Sequence, residues 1–109
     1  MKKSNKEPLS FAKFRETNLA RCNADIRPLH DWSTLEWSAC IAGECGELCN
    51  FLKKIKRGDK IPKKTLAHEL ADIVAYVDLT AAALNIDLGE AVREKFNIVS
   101  KRHGSKFRL

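Results

Sequence analysis

Four acidic residues of this chain fall into two pairs with the same three-residue spacing. Glu44 and Glu47 form the first pair, and Glu69 and Asp72 form the second. Residues three apart on an α-helix project from one side, so each pair would present its two carboxylates together. Apolar side chains, rather than lysines, lie in line with both pairs. The pattern indicates carboxylates that face the interior of a helical fold.

Carboxylates gathered in an interior need a cation among them, because they otherwise repel one another and lose their hydration. Oxygen ligands without imidazole or thiolate favour Mg²⁺, with Mn²⁺ as the second choice. A di-iron site would supply Glu-x-x-His pairs, whereas His68 directly precedes Glu69 and points about 100° away from it. A single acidic pair is commonly a solvated helix edge, but two pairs on consecutive helices predict a divalent-metal site.

The elements that must position these acids are helices, because apolar residues recur at spacings of three and four. Two capping boxes mark helix starts, one from Ser33 to Glu36 and one from Asp87 to Glu90. Strand-like alternation is absent from the sequence. The four predicted helices begin at Ser10, at Ser33, at Lys64 or Thr65 and at Asp87, and they end before Pro28, near Arg57, near Asn85 and near Gly104.

The second and third helices are apolar around much of their circumference, more than a lone four-helix monomer would cover. We therefore expect an all-α, four-helix bundle that is completed by homo-oligomerisation, as a dimer or a dimer of dimers. The predicted core stripes are Ile41, Cys45, Leu48, Leu52 and Ile55 on the second helix, and Leu66, Leu70, Ile73, Val77 and Leu84 on the third.

The length of 109 residues allows one domain. We place it at residues 10–104, between a flexible N-terminal tail (1–9) and a C-terminal tail (105–109). No segment approaches the roughly 20 apolar residues of a membrane span, and the N-terminus lacks a signal-peptide pattern. The four cysteines form no C-x-x-C motif. These features favour a cytoplasmic protein with reduced cysteines and no membrane partner.

The net charge of +6 is concentrated in one segment. Between Lys53 and Lys64 there are seven basic residues and one acid, Asp59, so the rest of the chain sums to about zero. Such a loop can bind the phosphates of a nucleotide or a nucleic acid, or it can simply keep a linker solvated. Because no extended basic face accompanies it, nucleic acid is the less favoured partner.

The acidic pairs in their sequence context resemble a known signature. The similarity is to the ExxE…ExxD pattern of the all-α pyrophosphohydrolases, which include MazG, the dimeric dUTPases and the dCTP pyrophosphatases. It extends over about residues 11–102. The residues that carry it are Glu44-Cys-Gly-Glu47-Leu48, then Glu69-Leu-Ala-Asp72, and Tyr76.

This resemblance implies hydrolysis of a nucleoside triphosphate between its α and β phosphorus atoms, giving a monophosphate and pyrophosphate. Glu44, Glu47, Glu69 and Asp72 would hold Mg²⁺ against the phosphates, and the metal would lower the pKa of the attacking water. One of the glutamates would orient or deprotonate that water. Many MazG relatives carry a further glutamate where this chain has Gly43, which argues against an extra carboxylate as the base. The family is linked to housecleaning of non-standard nucleotides and to control of dNTP pools.

The resemblance also implies that further residues of this chain contact the nucleotide. The phosphates are expected to contact Lys53, Lys54, Lys95 and Arg102. The base and sugar are expected to contact His30, Trp32, Trp37, Asn50, Tyr76 and Asn97. For Trp37 a core position stays equally open, as does a position for Trp32 over the start of the second helix.

Two other functions remain open on the sequence. A phosphoribosyl-ATP pyrophosphohydrolase would share the metal site and differ only in its substrate. A non-catalytic helical module would bind nucleic acid through the Lys53–Lys64 loop, with a steep dependence on salt and none on the carboxylates.

Overall fold

A computed structural model of the chain describes residues 7–109, and these form four α-helices and no strand. A π-helical turn, Cys22–Ile26, extends the first helix, and a 3₁₀ turn, Leu29–Asp31, precedes the second. The all-α class and the number of helices are therefore confirmed. The helices are α1 (Phe11–Arg21), α2 (Thr34–Lys56), α3 (Lys63–Ala83) and α4 (Leu88–Arg102).

Side-chain caps fix three of the four helix starts. The hydroxyl of Ser10 accepts a hydrogen bond from the backbone N–H of Lys13 at 3.0 Å. Ser33 caps α2 and Asp87 caps α4 in the same way, as their capping boxes predict. The third helix begins one residue earlier than expected, directly after Pro62, because proline supplies a backbone suited to a helix start and needs no donor there.

Helices α2 and α3 lie side by side along their lengths as an antiparallel pair. A connection of only six residues (57–62) joins them, and a link this short forces neighbouring helices to run in opposite directions. Gly58 turns the chain at the end of α2 with φ of 106°, a backbone region that favours glycine. Helix α1 packs on α3, and the main partner of α4 among the helices is α1.

The core of the protomer lies where α1, α3 and the start of α2 meet. Trp37 is 1% exposed, and its indole Nε1–H donates to the carbonyl of Leu29 at 2.8 Å. Cys22, Leu79 and Ala82 complete this buried cluster. The aromatic ring therefore anchors the irregular chain between α1 and α2 to the helix pair.

A buried charge ties α1 to α3. Asp78 is 1% exposed and accepts hydrogen bonds from Arg15 Nε at 2.8 Å and from Asn18 Nδ2 at 3.1 Å. Arg15 also donates to the carbonyl of Ile86, just before α4. Burial of a carboxylate is tolerated only with such partners, so this network fixes α1 and the α3–α4 turn on α3.

Much of the predicted core is open to solvent in a single chain. Leu52, Ile55, Leu70 and Leu84, all members of the predicted stripes, are exposed, so for one protomer that part of the core prediction is wrong. The accessible surface is 8683 Å², whereas a compact monomer of this mass exposes about 6,100 Å². The radius of gyration is 16.7 Å, against about 13 Å for a compact chain of this length. The small core leaves apolar faces of α2 and α3 without a partner.

The ends of the chain bear on the predicted domain limits. Residues 1–6 of the predicted N-terminal tail lie outside the described residues. Residues 105–109 fold back on α4, because the Asn97 side chain accepts from the backbone N–H of Leu109 at 2.9 Å and donates to its carbonyl at 3.3 Å. All four cysteines are free. No helix of the described part is long and apolar enough to span a membrane.

The buried network predicts a large effect for Asp78→Ala. Removing the carboxylate leaves the Arg15 guanidinium without its buried acceptor, so we expect a loss of about 3 kcal/mol in the free energy of unfolding. Denaturant titration of both proteins measures this. The control is Glu16→Ala, which removes an exposed ion pair with Lys13 and should cost about 0.5 kcal/mol or less. Equal small losses in the two variants would contradict the role of the network.

Candidate carboxylate site

Three carboxylates meet between α2 and α3. Oxygen atoms of Glu44, Glu47 and Glu69 all lie within 4.8 Å of one another. Glu44 and Glu69 are half-buried, and Glu47 is exposed. The antiparallel packing places the first acidic pair opposite the second, so the predicted convergence occurs for these three side chains.

Two oxygens of this cluster are buried without a hydrogen-bond partner among the described residues. They are Oε2 of Glu44 and Oε2 of Glu69. Burial, hydrogen bonding with Glu69 and Glu47, and the negative charge of these two neighbours together raise the pKa of Glu44 from 4.5 to about 7. Burial beside other carboxylates raises a carboxyl pKa in this way, and it leaves the two oxygens without donors. A hard divalent cation would satisfy both, so the donor set fits Mg²⁺ or Mn²⁺.

Asp72 stands apart from the other three acids. It lies on α3, one turn after Glu69, is exposed, and is not among the three carboxylates that lie within 4.8 Å of one another. Burial of the Tyr76 phenol raises its pKa, and the nearby Cys40, Glu44 and Asp72 add to the rise. Asp72 therefore borders the cluster without joining it.

An aromatic cluster lies on the same helix faces at one end of the site. The ring centroids of Trp32 and Trp37 are 4.8 Å apart, and those of Trp37 and Tyr76 are 6.4 Å apart. Trp37 precedes Glu44 by seven residues, and Tyr76 follows Glu69 by seven. Seven residues make about two helical turns, or about 10.5 Å along the axis. Trp37 is a core residue, which leaves Trp32 and Tyr76 as the partly exposed members.

Lysines lie toward the opposite end. Lys54 follows Glu47 by seven residues, so it lies on nearly the same face of α2 about two turns further on. It is half-buried, with Nζ 5.7 Å from the centre of the Phe51 ring. Lys53 is exposed beside it. The carboxylates thus lie between an aromatic end and a cationic end.

The other predicted contacts lie outside this line. Lys95 and Arg102 are exposed on α4, whose main helix partner is α1 rather than the pair that carries the acids. The side chain of Asn97 is engaged with residue 109. His30 is exposed in the 3₁₀ turn, and Asn50 is exposed on α2. Their roles toward a nucleotide stay predictions.

One residue near the aromatic end was missed by the sequence reasoning. The guanidinium carbon of Arg27 lies 3.8 Å from the centre of the Trp32 ring, and its charge opposes the rise in the pKa of Tyr76. Arg27 lies in the irregular chain between α1 and α2. No helical spacing relates it to the acids, so only the tertiary structure brings it here.

Comparison with known families matches residues 33–107 to the MazG nucleotide pyrophosphohydrolase domain. The chain belongs to this family. The match covers α2, α3 and α4, and thus all four predicted acids of the MazG site. Comparisons with curated proteins and with solved structures give no significant match.

The MazG match bears on the sequence prediction in two ways. It confirms the resemblance stated from the two acidic pairs, and it supports a nucleotide pyrophosphohydrolase as the kind of enzyme. It begins after Arg27 and α1, so the match says nothing about the residues that cover the aromatic end. The substrate and the metal ion go beyond what a family match can establish.

The raised pKa of Glu44 predicts how the stability of metal-free protein depends on pH. Because the folded pKa of about 7 lies above the ordinary 4.5, the folded state holds this proton more tightly than the unfolded chain. The resulting stabilisation is complete below 4.5 and is lost as the pH rises through about 7. Chelator-treated protein should therefore melt at progressively lower temperature between about pH 5 and about pH 8.

A comparison of variants isolates this contribution. Glu44→Gln should flatten the dependence, because glutamine has no titrating proton. Glu94→Gln, at an exposed position of α4, should keep the wild-type slope. If Glu44→Gln and the wild type show the same slope, the carboxyl of Glu44 is not the group that titrates near neutrality.

Proposed function

We propose that this chain is a Mg²⁺-dependent nucleoside triphosphate pyrophosphohydrolase that cleaves between the α and β phosphates. The products are a nucleoside monophosphate and pyrophosphate, and the cellular role is housecleaning of the nucleotide pool in the cytoplasm. One observation carries the proposal: three carboxylates of a MazG-type helix pair meet within 4.8 Å, with two buried oxygens that lack partners.

The metal belongs between α2 and α3. Glu44, Glu47 and Glu69 hold it, and Asp72, one turn along α3, completes the set by a change of side-chain rotamer. When bound, the ion neutralises charge on the phosphate oxygens and lowers the pKa of a water molecule. A glutamate of the cluster orients that water or accepts its proton. No serine or cysteine nucleophile is required by this arrangement.

The aromatic and cationic groups on either side of the carboxylates set the direction in which the substrate binds. The aromatic end, with Trp32 and Tyr76, receives the base and sugar. Lys53 and Lys54, at the other end, contact the β and γ phosphates, because their charge and position suit the leaving pyrophosphate. The scissile bond then lies over the carboxylates, about two helical turns from either end. Lys95 and Arg102 remain proposed as phosphate contacts, and His30, Asn50 and Asn97 as base or sugar contacts. Trp37 is 1% exposed and therefore packs against Trp32 from the core instead of contacting the base.

The protein acts as a homo-oligomer in this proposal, as a dimer or a dimer of dimers. Exposed apolar side chains on both helices of the central pair supply the contact: Leu52, Ile55, Leu70 and Val74.

Pyrophosphate release from a panel of standard and modified nucleoside triphosphates tests the reaction. We expect pyrophosphate release that requires Mg²⁺. Glu47→Ala should lower the rate by more than about 100-fold, which exceeds the loss caused by mutating a residue that only hydrogen-bonds to a metal ligand. Asp72→Ala should also abolish turnover without unfolding the protein. Glu94→Ala serves as the control, because this exposed glutamate on α4 should leave turnover unchanged.

The outcomes of this assay separate the candidate functions. Full activity of Glu47→Ala would remove the carboxylate assignment. Release from phosphoribosyl-ATP but from no ordinary triphosphate would change the substrate and keep the site. No release from any of these, together with salt-sensitive nucleic-acid binding, would favour a binding module instead.

The oligomer predicts a mass in solution of at least twice the 12.3 kDa of one chain. Leu70→Glu should shift the protein toward the monomer, because a charge cannot be buried in an apolar interface without a partner. His68→Glu provides the control, since residues two positions apart lie about 200° apart on a helix. Light scattering measures all three. A monomeric wild type would refute the proposal of an interface on α3.

A further inference from the structure

A cation lies over one face of Trp32. The guanidinium carbon of Arg27 lies over this ring, 3.8 Å from its centre, and the ring of Trp37 packs against it with a centroid distance of 4.8 Å and an interplanar angle of 58°. A base cannot stack on the part of the indole that Arg27 covers. On that side, a ligand therefore meets the edge of the Arg27 guanidinium and not the indole ring.

Arg27 is held in place by its own backbone. Its N–H donates to the carbonyl of Cys22 at 2.8 Å, and its carbonyl accepts from the buried Cys22 thiol at 3.2 Å. Trp37, which packs against Trp32, is fixed in the core by its hydrogen bond to the carbonyl of Leu29. The Arg27–Trp32 pair is thus attached to the buried cluster that contains Cys22 and Trp37.

The charge of Arg27 is not neutralised by an acid among the described residues. The ion pairs there involve Arg15, Arg57, Arg93 and Lys13. Arginine carries donors only and holds them in a planar fork. Stacking uses the face of that plane and leaves the donors at its rim available. The fork is therefore free to bind a group that offers acceptor atoms.

We propose that Arg27 is a specificity-determining residue that binds the base edge of the nucleotide and favours 6-oxopurines. The inference rests on the proposed function, because it needs the base at the aromatic end and the phosphates at the lysine end. Guanine and hypoxanthine present two adjacent acceptors, O6 and N7, which a guanidinium binds with two parallel hydrogen bonds. Adenine presents an amino donor beside N7, so a donor-only fork makes at most one hydrogen bond with that edge.

The two tryptophans of the chain make this testable without catalysis. Both belong to the aromatic cluster, so intrinsic fluorescence reports directly on occupation of this end. We would titrate the protein with dGMP, dIMP and dAMP, and separately with inorganic tripolyphosphate as a competitor. In the wild type, dGMP and dIMP should bind at least about tenfold more tightly than dAMP, the discrimination that one bidentate contact provides.

Two variants and a control complete the experiment. Arg27→Gln should reduce the preference to less than about twofold, and so should Arg27→Lys, which keeps the charge but loses the planar fork. Arg21→Gln removes a nearby exposed charge and should retain the wild-type preference. Melting curves show whether each variant folds. If Arg27→Gln does not fold, the base preference of Arg27→Lys tests the proposal.

Three results would overturn the proposal. The first is equal binding of dGMP and dAMP by the wild type, and the second is an unchanged preference in both Arg27 variants. The third is a loss of tripolyphosphate binding with the base preference intact, which would make Arg27 a phosphate contact. Because monophosphate binding needs neither metal nor turnover, a 6-oxopurine preference without pyrophosphate release would retain this role and refute the proposed reaction.

Discussion

Repulsion among carboxylates held between two helices is the constraint on which the rest of this structure depends. Glu44 and Glu69 each bury an oxygen without a partner, and Glu47 lies close to both. Such an arrangement costs free energy in a metal-free chain. The fold tolerates this cost because α2 and α3 are joined by a short link and because α1 is fastened to α3 through Asp78. A cation that binds only the folded state would relieve this repulsion and so stabilise the fold.

The remaining features follow from the way the helix pair is exposed. One face of α2 and α3 carries the acids and must stay accessible to a substrate, while the adjoining faces are apolar and lack cover. A single chain of this length builds only a small core around Trp37. Burying the apolar faces against a second copy would stabilise the pair without closing the carboxylate face.

Local signals predicted the fold well, since helix caps at Ser10, Ser33 and Asp87 depend on a few neighbouring residues. The three-residue spacing predicted that all four acids converge. Glu44, Glu47 and Glu69 do so, because helix periodicity and a short connection leave little freedom, whereas Asp72 lies outside the cluster. Arg27 could not be predicted in this way. Its position over Trp32 arises from an irregular segment with no periodicity, and the buried place of Asp78 likewise depends on donors that lie 60 or more positions away in the sequence.

The central claim is that the three glutamates form a binding site for a divalent cation. Anomalous diffraction from crystals soaked in Mn²⁺ tests it most directly, because manganese replaces magnesium at oxygen sites and can be located without assumptions about the substrate. We predict a peak between α2 and α3 within bonding distance of Glu44, Glu47 and Glu69. Crystals that bind manganese only elsewhere, or not at all while these side chains keep their positions, would contradict the account.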